Sequence, residues 1–275
     1  MSTNKTVILL LLLAGALPLA GGEKITVKGS DTMVILGQRW AERYMAAHPQ
    51  IRIQVTGGGS GTGISALING TTDICNSSRP MKEAERARLR EKYGSRGVEI
   101  KCALDGLAVY VHAGNPVRDL SLRQLRDIFT GSTTNWKALG GPDRRIILYS
   151  RENNSGTYVY FKDEVLGGAD FAPHAQHMPG TAAVVHAVAR DPWGIGYGGA
   201  AYGKGIREMS IRREPGSPAF PPAQEHIRSG AYPISRFLYL YTLRRPAGAL
   251  RQYVDWILGD EGQAIVSSVG YFPIR

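Results

Sequence analysis

Apolar positions along the chain switch repeatedly between two periods. Ile25-Thr26-Val27 reads as a short strand, and Ile51 to Val55 alternates apolar and polar residues as a strand does. Between them, Met33 to Ala47 carries Val34, Leu36, Trp40, Tyr44 and Met45 at helical spacing and ends near Pro49. Gly57 to Gly63 is a glycine loop that leads into a short helix through Ala66, Leu67 and Ile68. Asp73-Ile74-Cys75 follows as a strand, Lys82 to Tyr93 as a charged, exposed helix, and Ala103 to His112 as a strongly apolar strand.

The second part of the chain repeats this alternation. Ser121 caps a helix through Leu122, Leu125, Ile128 and Phe129; Arg144 to Tyr149 is a strand, and Ser155 to Val165 is a helix. Thr181 to Arg190 forms a helix that buries Ala183, Val184, Ala187 and Val188. Gly194 to Tyr197 and Arg236 to Leu243 are strands, and Pro246 to Leu258 and Glu261 to Val269 are terminal helices. Such alternation predicts an α/β fold with helices packed on sheets. Two long apolar strands far apart in sequence, Leu104–His112 and Phe237–Leu243, suit a chain that crosses twice between two lobes.

Composition narrows the class. With 275 residues and 43% hydrophobic content the chain can bury a substantial core, which excludes wholesale disorder. Its 34 glycines show no triplet period, so collagen is excluded. Two cysteines, Cys75 and Cys102, make neither a disulfide-dense scaffold nor a four-cysteine zinc site. The net charge of +10 favours anionic partners. At the N-terminus, Lys5 precedes an apolar run from Val7 to Leu13, then small residues to Ala20-Gly21-Gly22. This pattern predicts a signal peptide over residues 1–22, cleaved near Gly22, and a periplasmic or secreted protein. The apolar stretch is short for an anchor helix, and Pro18 breaks its end.

Three segments share one chemical design. Gly29-Ser30-Asp31-Thr32-Met33, Gly57 through Gly63, and Ser150-Arg151-Glu152-Asn153-Asn154-Ser155-Gly156-Thr157 each lead from a strand into a helix. Backbone N–H groups in the first helical turn have no partner within the helix, and the positive end of the helix dipole lies there. Glycine allows close approach, serine and threonine add hydroxyl donors, and Arg151 adds a planar, permanently charged fork. One such segment alone is ordinary capping; three together predict an anion site.

Competing motifs fail on inspection. No Lys follows Gly63, so a phosphate-binding nucleotidase loop is absent. Gly59-Ser60-Gly61 has Ile64 where a dinucleotide fingerprint needs its last glycine, and Thr62 replaces the final glycine of a hydrolase elbow at Ser60. His174 and His177 form an H-x-x-H pair in an expected surface loop, without an acidic or cysteine partner near in sequence. No nucleophile and base stand out together, so neither catalytic residues nor a metal site are expected, and no cofactor is called for.

Gly57–Gly63 with Ile64, Asp73-Ile74 and Asn76-Ser77-Ser78 resembles the first lobe of PstS-type phosphate-binding proteins. Ile128-Phe129-Thr130-Gly131, Asn135-Trp136, Ser150-Arg151 and Ser155-Gly156-Thr157 resemble the second. Gly194-Ile195-Gly196-Tyr197, Tyr232-Pro233-Ile234-Ser235-Arg236, Glu261-Gly262-Gln263 and Gly270-Tyr271-Phe272-Pro273 extend the similarity to the end of the chain. The resemblance implies a type II periplasmic-binding-protein fold: two α/β lobes, each a mixed sheet flanked by helices, joined by two crossing strands. It places lobe 1 at residues 23–104 plus 236–275 and lobe 2 at residues 105–235. It implies capture of inorganic phosphate, or another tetrahedral oxyanion, by a monomer that serves the membrane permease of an ABC importer, without nucleic acid and without catalysis. By position, Thr32, Met33 through its backbone, Ser60, Ser78, Arg151, Ser155, Gly156 and Thr157 are the expected phosphate ligands.

One departure bears on selectivity. Many family members carry an Asp, which accepts a hydrogen bond from the protonated phosphate oxygen, where this chain has Ser78, followed by Arg79. Asp31 is the first candidate to replace that acceptor and Asp105 the second. For Cys75 and Cys102, a disulfide and two buried free thiols are equally open readings. Two other functional classes stand beside the transport receptor. A phosphatase-like or phosphoryl-handling enzyme would need a positioned nucleophile or metal, and a surface adhesion or signalling protein would show binding that collapses with salt.

Overall fold

The computed structural model describes residues 23–203 and 205–274, so the expected signal peptide lies outside the described residues. Strands β1 (Glu23–Gly29), β2 (Ile51–Thr56), β3 (Ile74–Ser77) and β4 (Val98–Val111) alternate with helices α1 (Val34–Ala47), α2 (Ser60–Asn69) and α3 (Glu83–Tyr93). After them come β5 (Asp119–Ser121), α4 (Leu122–Phe129), β6 (Ile147–Arg151), α5 (Gly156–Glu164), β7 (Gln176–Met178), α6 (Gly180–Arg190) and β8 (Gly194–Gly199). The chain ends with β9 (Arg207–Glu208), β10 (Ser210–Arg212), α7 (Gln224–Arg228), β11 (Ser235–Thr242), α8 (Gly248–Leu258) and α9 (Asp260–Val269).

One hydrogen-bonded path, β2-β1-β3-β11-β4-β8-β6-β7, runs through the molecule, with β9 added on β4. Strand β4 carries that path from one half to the other. Its residues Val98 to Gly106 pair with β11, and Leu107 to Val111 pair with β8. The chain returns beside it, where the Leu107 amide donates to the Ile234 carbonyl at 2.8 Å just before β11. The alternation of patterns predicts the α/β class, and the two lobes joined by crossing strands are those that the family resemblance implies. Strands β1, β2 and β3 are mutually parallel, as are β6, β7 and β8, so the helices that follow them start on the same edge of each half.

Each half is covered on both faces. In the first, Ile25, Val27 and Ile74 pack with Trp40, Tyr44, Tyr253 and Ile257 of α1 and α8. On the other face Cys75 and Tyr241 pack with Ile64 and Leu67 of α2 and Leu89 of α3. In the second half Val109, Leu148 and Ile195 pack with Phe129 and Phe161, while Ala108 and Tyr110 pack with Val184 and Val188 of α6. Adjacent strand residues alternate between these cores, which is why the buried strands read as near-continuous apolar runs.

Several boundaries differ from expectation. The strand predicted at Arg144–Tyr149 begins at Ile147 because the backbone of Arg144 is engaged with Pro142 and Trp136 in a turn. It extends to Arg151, which pairs with Met178. The first helix is preceded by a 3₁₀ turn over Asp31–Met33. His177 lies on β7 rather than in a loop.

Of the two open readings for the cysteines, the structure holds the free thiols: Cys75 and Cys102 are not bridged. Cys75 is on β3 and Cys102 on β4, and β11 runs between them. Two strand spacings, about 9–10 Å, exceed the reach of a disulfide of about 7 Å between Cα atoms. The two also belong to different cores. Burial pushes both thiols up, away from the reactive thiolate.

Candidate anion-binding site

The candidate residues converge because each follows the carboxyl end of a parallel strand. Asp31, Thr32 and Met33 follow β1, Ser60 follows β2, Ser78 follows β3, and Ser155, Gly156 and Thr157 follow β6. Turns and helix starts at that edge bring backbone and hydroxyl donors to the boundary between the halves.

The two halves touch there. Thr32 Oγ1 lies 3.0 Å from Thr157 Oγ1, with both side chains buried. The start of α5 meets the start of α2 so closely that a Cβ on Gly156 would stand 2.3 Å from Ser60 Oγ and 2.7 Å from Ser78 Oγ. Ser78 donates its amide to Ser60 Oγ at 3.0 Å, and the two hydroxyl oxygens are 3.3 Å apart. Outside this cluster the glycine loop is held by Asn154. Its carbonyl accepts from the Gly61 amide at 2.9 Å, and its side chain donates to the Gly58 carbonyl at 3.1 Å. Gly59 has φ +89°, and a Cβ there would stand 2.7 Å from that same carbonyl, so only glycine fits.

Arg151 is 2% exposed. Its Nη1 donates to Thr181 Oγ1 at 2.8 Å and its Nη2 to Asp31 Oδ2 at 2.8 Å. Asp31 Oδ1 accepts from the Gly58 amide at 2.7 Å. Burial draws the guanidinium below its ordinary range, and the neighbouring Asp31 carboxylate opposes that shift. Ser155 caps α5, accepting from the amides of Thr157 and Tyr158 at 3.2 and 3.4 Å, which leaves its own hydroxyl hydrogen available. The Met33 amide, expected to face the anion, donates instead to the Ser30 carbonyl at 3.0 Å inside the 3₁₀ turn. Arg79, next to Ser78, turns away into a buried pair with Glu85 at 2.6 Å.

Several participants escaped the sequence reading. Arg236, at the head of β11, donates from Nη2 to Thr157 Oγ1 at 3.0 Å. It also gives Nε at 3.0 Å and Nη2 at 2.9 Å to Asp105 Oδ2. Asp105 therefore reaches the hydroxyl cluster through Arg236. Burial pushes its carboxyl up, and the Arg236 charge pulls against that. Tyr271 donates to the Thr32 carbonyl at 2.6 Å and Tyr202 to the Asp31 carbonyl at 2.8 Å, fixing the 3₁₀ turn from behind. The signal that could have found the pair is one acid and one base in the two long apolar strands, where a lone charge is costly. The tyrosines leave no such trace.

Arg151 Nε and Arg236 Nη1 are buried donors without a protein acceptor, and Asp105 Oδ1 is a buried acceptor without a side-chain donor. His177 Nδ1 lies 3.0 Å from the Arg151 carbonyl at the edge of this region. Among the described residues no three His, Cys, Asp or Glu side chains are placed to hold a metal ion. No helix among them is long and apolar enough to cross a membrane.

Comparison with known proteins bears on the family and the fold. Residues 16–261 match the family model of the PBP superfamily domain. The phosphate-binding protein PstS of Pseudomonas aeruginosa PAO1 is 34% identical over 263 residues, covering 90% of this chain and 81% of that protein. PstS of Bacillus subtilis 168 is 31% identical over 251 residues, covering 91% and 80%. A Clostridium perfringens phosphate ABC transporter substrate-binding protein, solved with bound phosphate, superposes with TM-score 0.83 at 27% identity, over 92% of this chain and all of that one (100%). An ABC-type phosphate transport receptor from Vibrio cholerae gives TM-score 0.73 at 27% identity, over 90% and 99%.

Proposed function

Because this chain belongs to the PstS-type phosphate-binding proteins of the PBP superfamily, we propose that it captures inorganic phosphate between its two halves. The observation that carries this reading is the meeting of Thr32, Ser60 and Ser78 with Thr157 and Gly156 between the halves, beside the Asp31–Arg151 pair. Hydroxyls, backbone amides at two helix starts and a buried arginine supply donors from both sides, which is what a tetrahedral oxyanion requires. Closing the halves on one ion makes the ligand itself the bridge, so binding and closure are a single population shift.

In this reading residues 23–104 with 236–275 form one lobe and residues 105–235 the other. Thr32, Ser60, Ser78, Arg151, Ser155, Gly156 and Thr157 contact the ion, and Asp31 acts mainly by holding Arg151. The protein works outside the cytoplasm after cleavage near Gly22. It hands phosphate to the permease of an ABC importer without chemical change to the ion. The relatives' names and the export pattern of the N-terminus support this placement.

Calorimetric titration of refolded, ligand-free protein with phosphate, sulfate, a phosphonate and molybdate tests the reading. Phosphate binds most tightly, and its affinity changes little with salt because the closed site is shielded. No phosphate binding, or a steep loss of it towards physiological salt, overturns the proposal.

A further inference from the structure

The Arg236 guanidinium, 2% exposed, is a permanent cation behind the hydroxyl cluster rather than on the loops that form it. It stands opposite Asp105 in the antiparallel register of β11 and β4, where the chain passes between the halves. Both its Nε and Nη2 donate to one oxygen, Asp105 Oδ2, and the Tyr160 ring lies 5.3 Å from the guanidinium carbon. These contacts fix its plane. The same Nη2 donates to Thr157 Oγ1 at 3.0 Å, and Thr157 Oγ1 is 3.0 Å from Thr32 Oγ1.

Arginine has no acceptor, so at this contact the threonine oxygen accepts. The single hydrogen of the Thr157 hydroxyl is then directed away from Arg236, towards Thr32 Oγ1 or an anion oxygen that takes its place, and a hydroxyl that accepts from a cation is a stronger donor. We propose that Arg236 is a positioning residue that fixes Thr157 as a hydrogen-bond donor, so that the site takes an unprotonated oxyanion oxygen at that point. Asp105 holds Arg236 and offsets its charge, and Arg151, Glu208, Tyr110, Tyr202 and Tyr271 are among the other charged or titratable groups around this pair. The inference rests on the phosphate-capture reading and assigns it a polarity. Phosphate carries both protonated and unprotonated oxygens, and this contact turns its protonated oxygen away from Thr157. The doubly ionised form, with one more bare oxygen, is thereby preferred over the singly ionised form.

The test is calorimetric titration with inorganic phosphate at about pH 6 and about pH 8, which bracket the loss of a phosphate group's second proton. It uses the wild type, Thr157→Val, the paired variant Asp105→Asn with Arg236→Gln, and all three changes together. In the wild type, phosphate binds more tightly at the higher pH, and Thr157→Val weakens it about tenfold, the cost of one good hydrogen bond. In the paired variant the ratio between the two pH values shrinks, and Thr157→Val then costs less than about twofold. An equal Thr157→Val loss in both backgrounds, or an unchanged ratio in the paired variant, overturns the proposal. If the paired variant does not fold, Arg236→Lys replaces it. Its ammonium is also donor-only, so the wild-type ratio is retained, and a collapsed ratio overturns the proposal. Wild-type protein that fails to bind phosphate overturns the capture reading and this inference together; wild-type binding with an additive cycle overturns this inference alone.

Discussion

Arg151 and Asp31 join the two halves of the sheet by a charge-assisted hydrogen bond, Nη2 to Oδ2, of 2.8 Å. The arginine is buried and the aspartate side chain 21% exposed, so the pair straddles the boundary between the crevice and solvent. One end of this link is the last residue of β6 and the other opens the turn after β1.

Arg151→Ala removes the charged fork beside the α5 start. The loss of a charge-assisted donor pair in a dry site costs on the order of 2–5 kcal/mol. Phosphate affinity therefore falls at least about thirtyfold by calorimetry while the melt stays cooperative. Wild-type affinity in this variant would remove Arg151 from the site.

Asp31→Asn removes the charge and one acceptor: Oδ1 accepts from the Gly58 amide and Oδ2 from Arg151, and the amide nitrogen of asparagine must face one of these donors. Arg151 is then held less firmly, and phosphate binds about tenfold more weakly, in line with a charged hydrogen bond reduced to a neutral one. Sulfate gains from the loss of a nearby carboxylate, so the phosphate-to-sulfate ratio narrows in competition titrations. A ratio equal to that of the wild type shows that Asp31 plays no part in selectivity.

Gly156→Ala puts a methyl group where the structure leaves 2.3 Å to Ser60 Oγ and 2.7 Å to Ser78 Oγ. The two helix starts must separate, and the halves cannot close as they do in the wild type. The expected result is a phosphate affinity reduced by about tenfold or more and a smaller decrease in radius of gyration on adding phosphate, read by small-angle scattering. Full compaction would mean that Ser60 and Ser78 yield without cost.

Glu208 supplies a pH dependence of stability. It pairs with Tyr110 of β4, its Oε1 is buried without a partner, and burial followed by the Asp105 charge pushes its carboxyl up to about 7. The folded protein therefore binds this proton more tightly than the unfolded chain. Its contribution is fully present below the ordinary carboxylate range and is lost as pH rises through about 7. The loss is on the order of 3 kcal/mol. Denaturant melts of wild type and Glu208→Gln should diverge between about pH 5 and about pH 8, with the glutamine variant the less pH-dependent. Parallel curves contradict the assignment.

The parts of the fold set by periodicity were legible in the sequence. Trp40 and Tyr44 at helical spacing, and the apolar strand ending at His112, identify α1 and β4 because burial imposes those periods. Pieces such as β7, β9 and α7 were not legible, since two to five residues show no period and depend on the strand or loop they meet. For the site, helix-start chemistry pointed to Thr32, Ser60, Arg151 and Thr157, which the structure brings together. It could not tell which amides are already used. Met33 is spent inside a turn, and the Asn154 carbonyl takes the Gly61 amide, because both depend on contacts that sequence spacing does not encode.

The route of the chain through β4 and β11 has a mechanical consequence. Glu23 and the segment after α9 both belong to the first half, whereas β6, β7 and β8 lie in sequence between the two passages. In an optical trap that pulls on the two ends, load enters the first half directly. The backbone enters the second half at two passages, near Leu107 and Ile234, and the other links between the halves, such as Asp31–Arg151 and Thr32–Thr157, are hydrogen bonds that break first. The second half is in effect a long insertion anchored in the first. The extension trace should rise in two steps, with the ends and their sheet giving way before β6, β7 and β8 unfold.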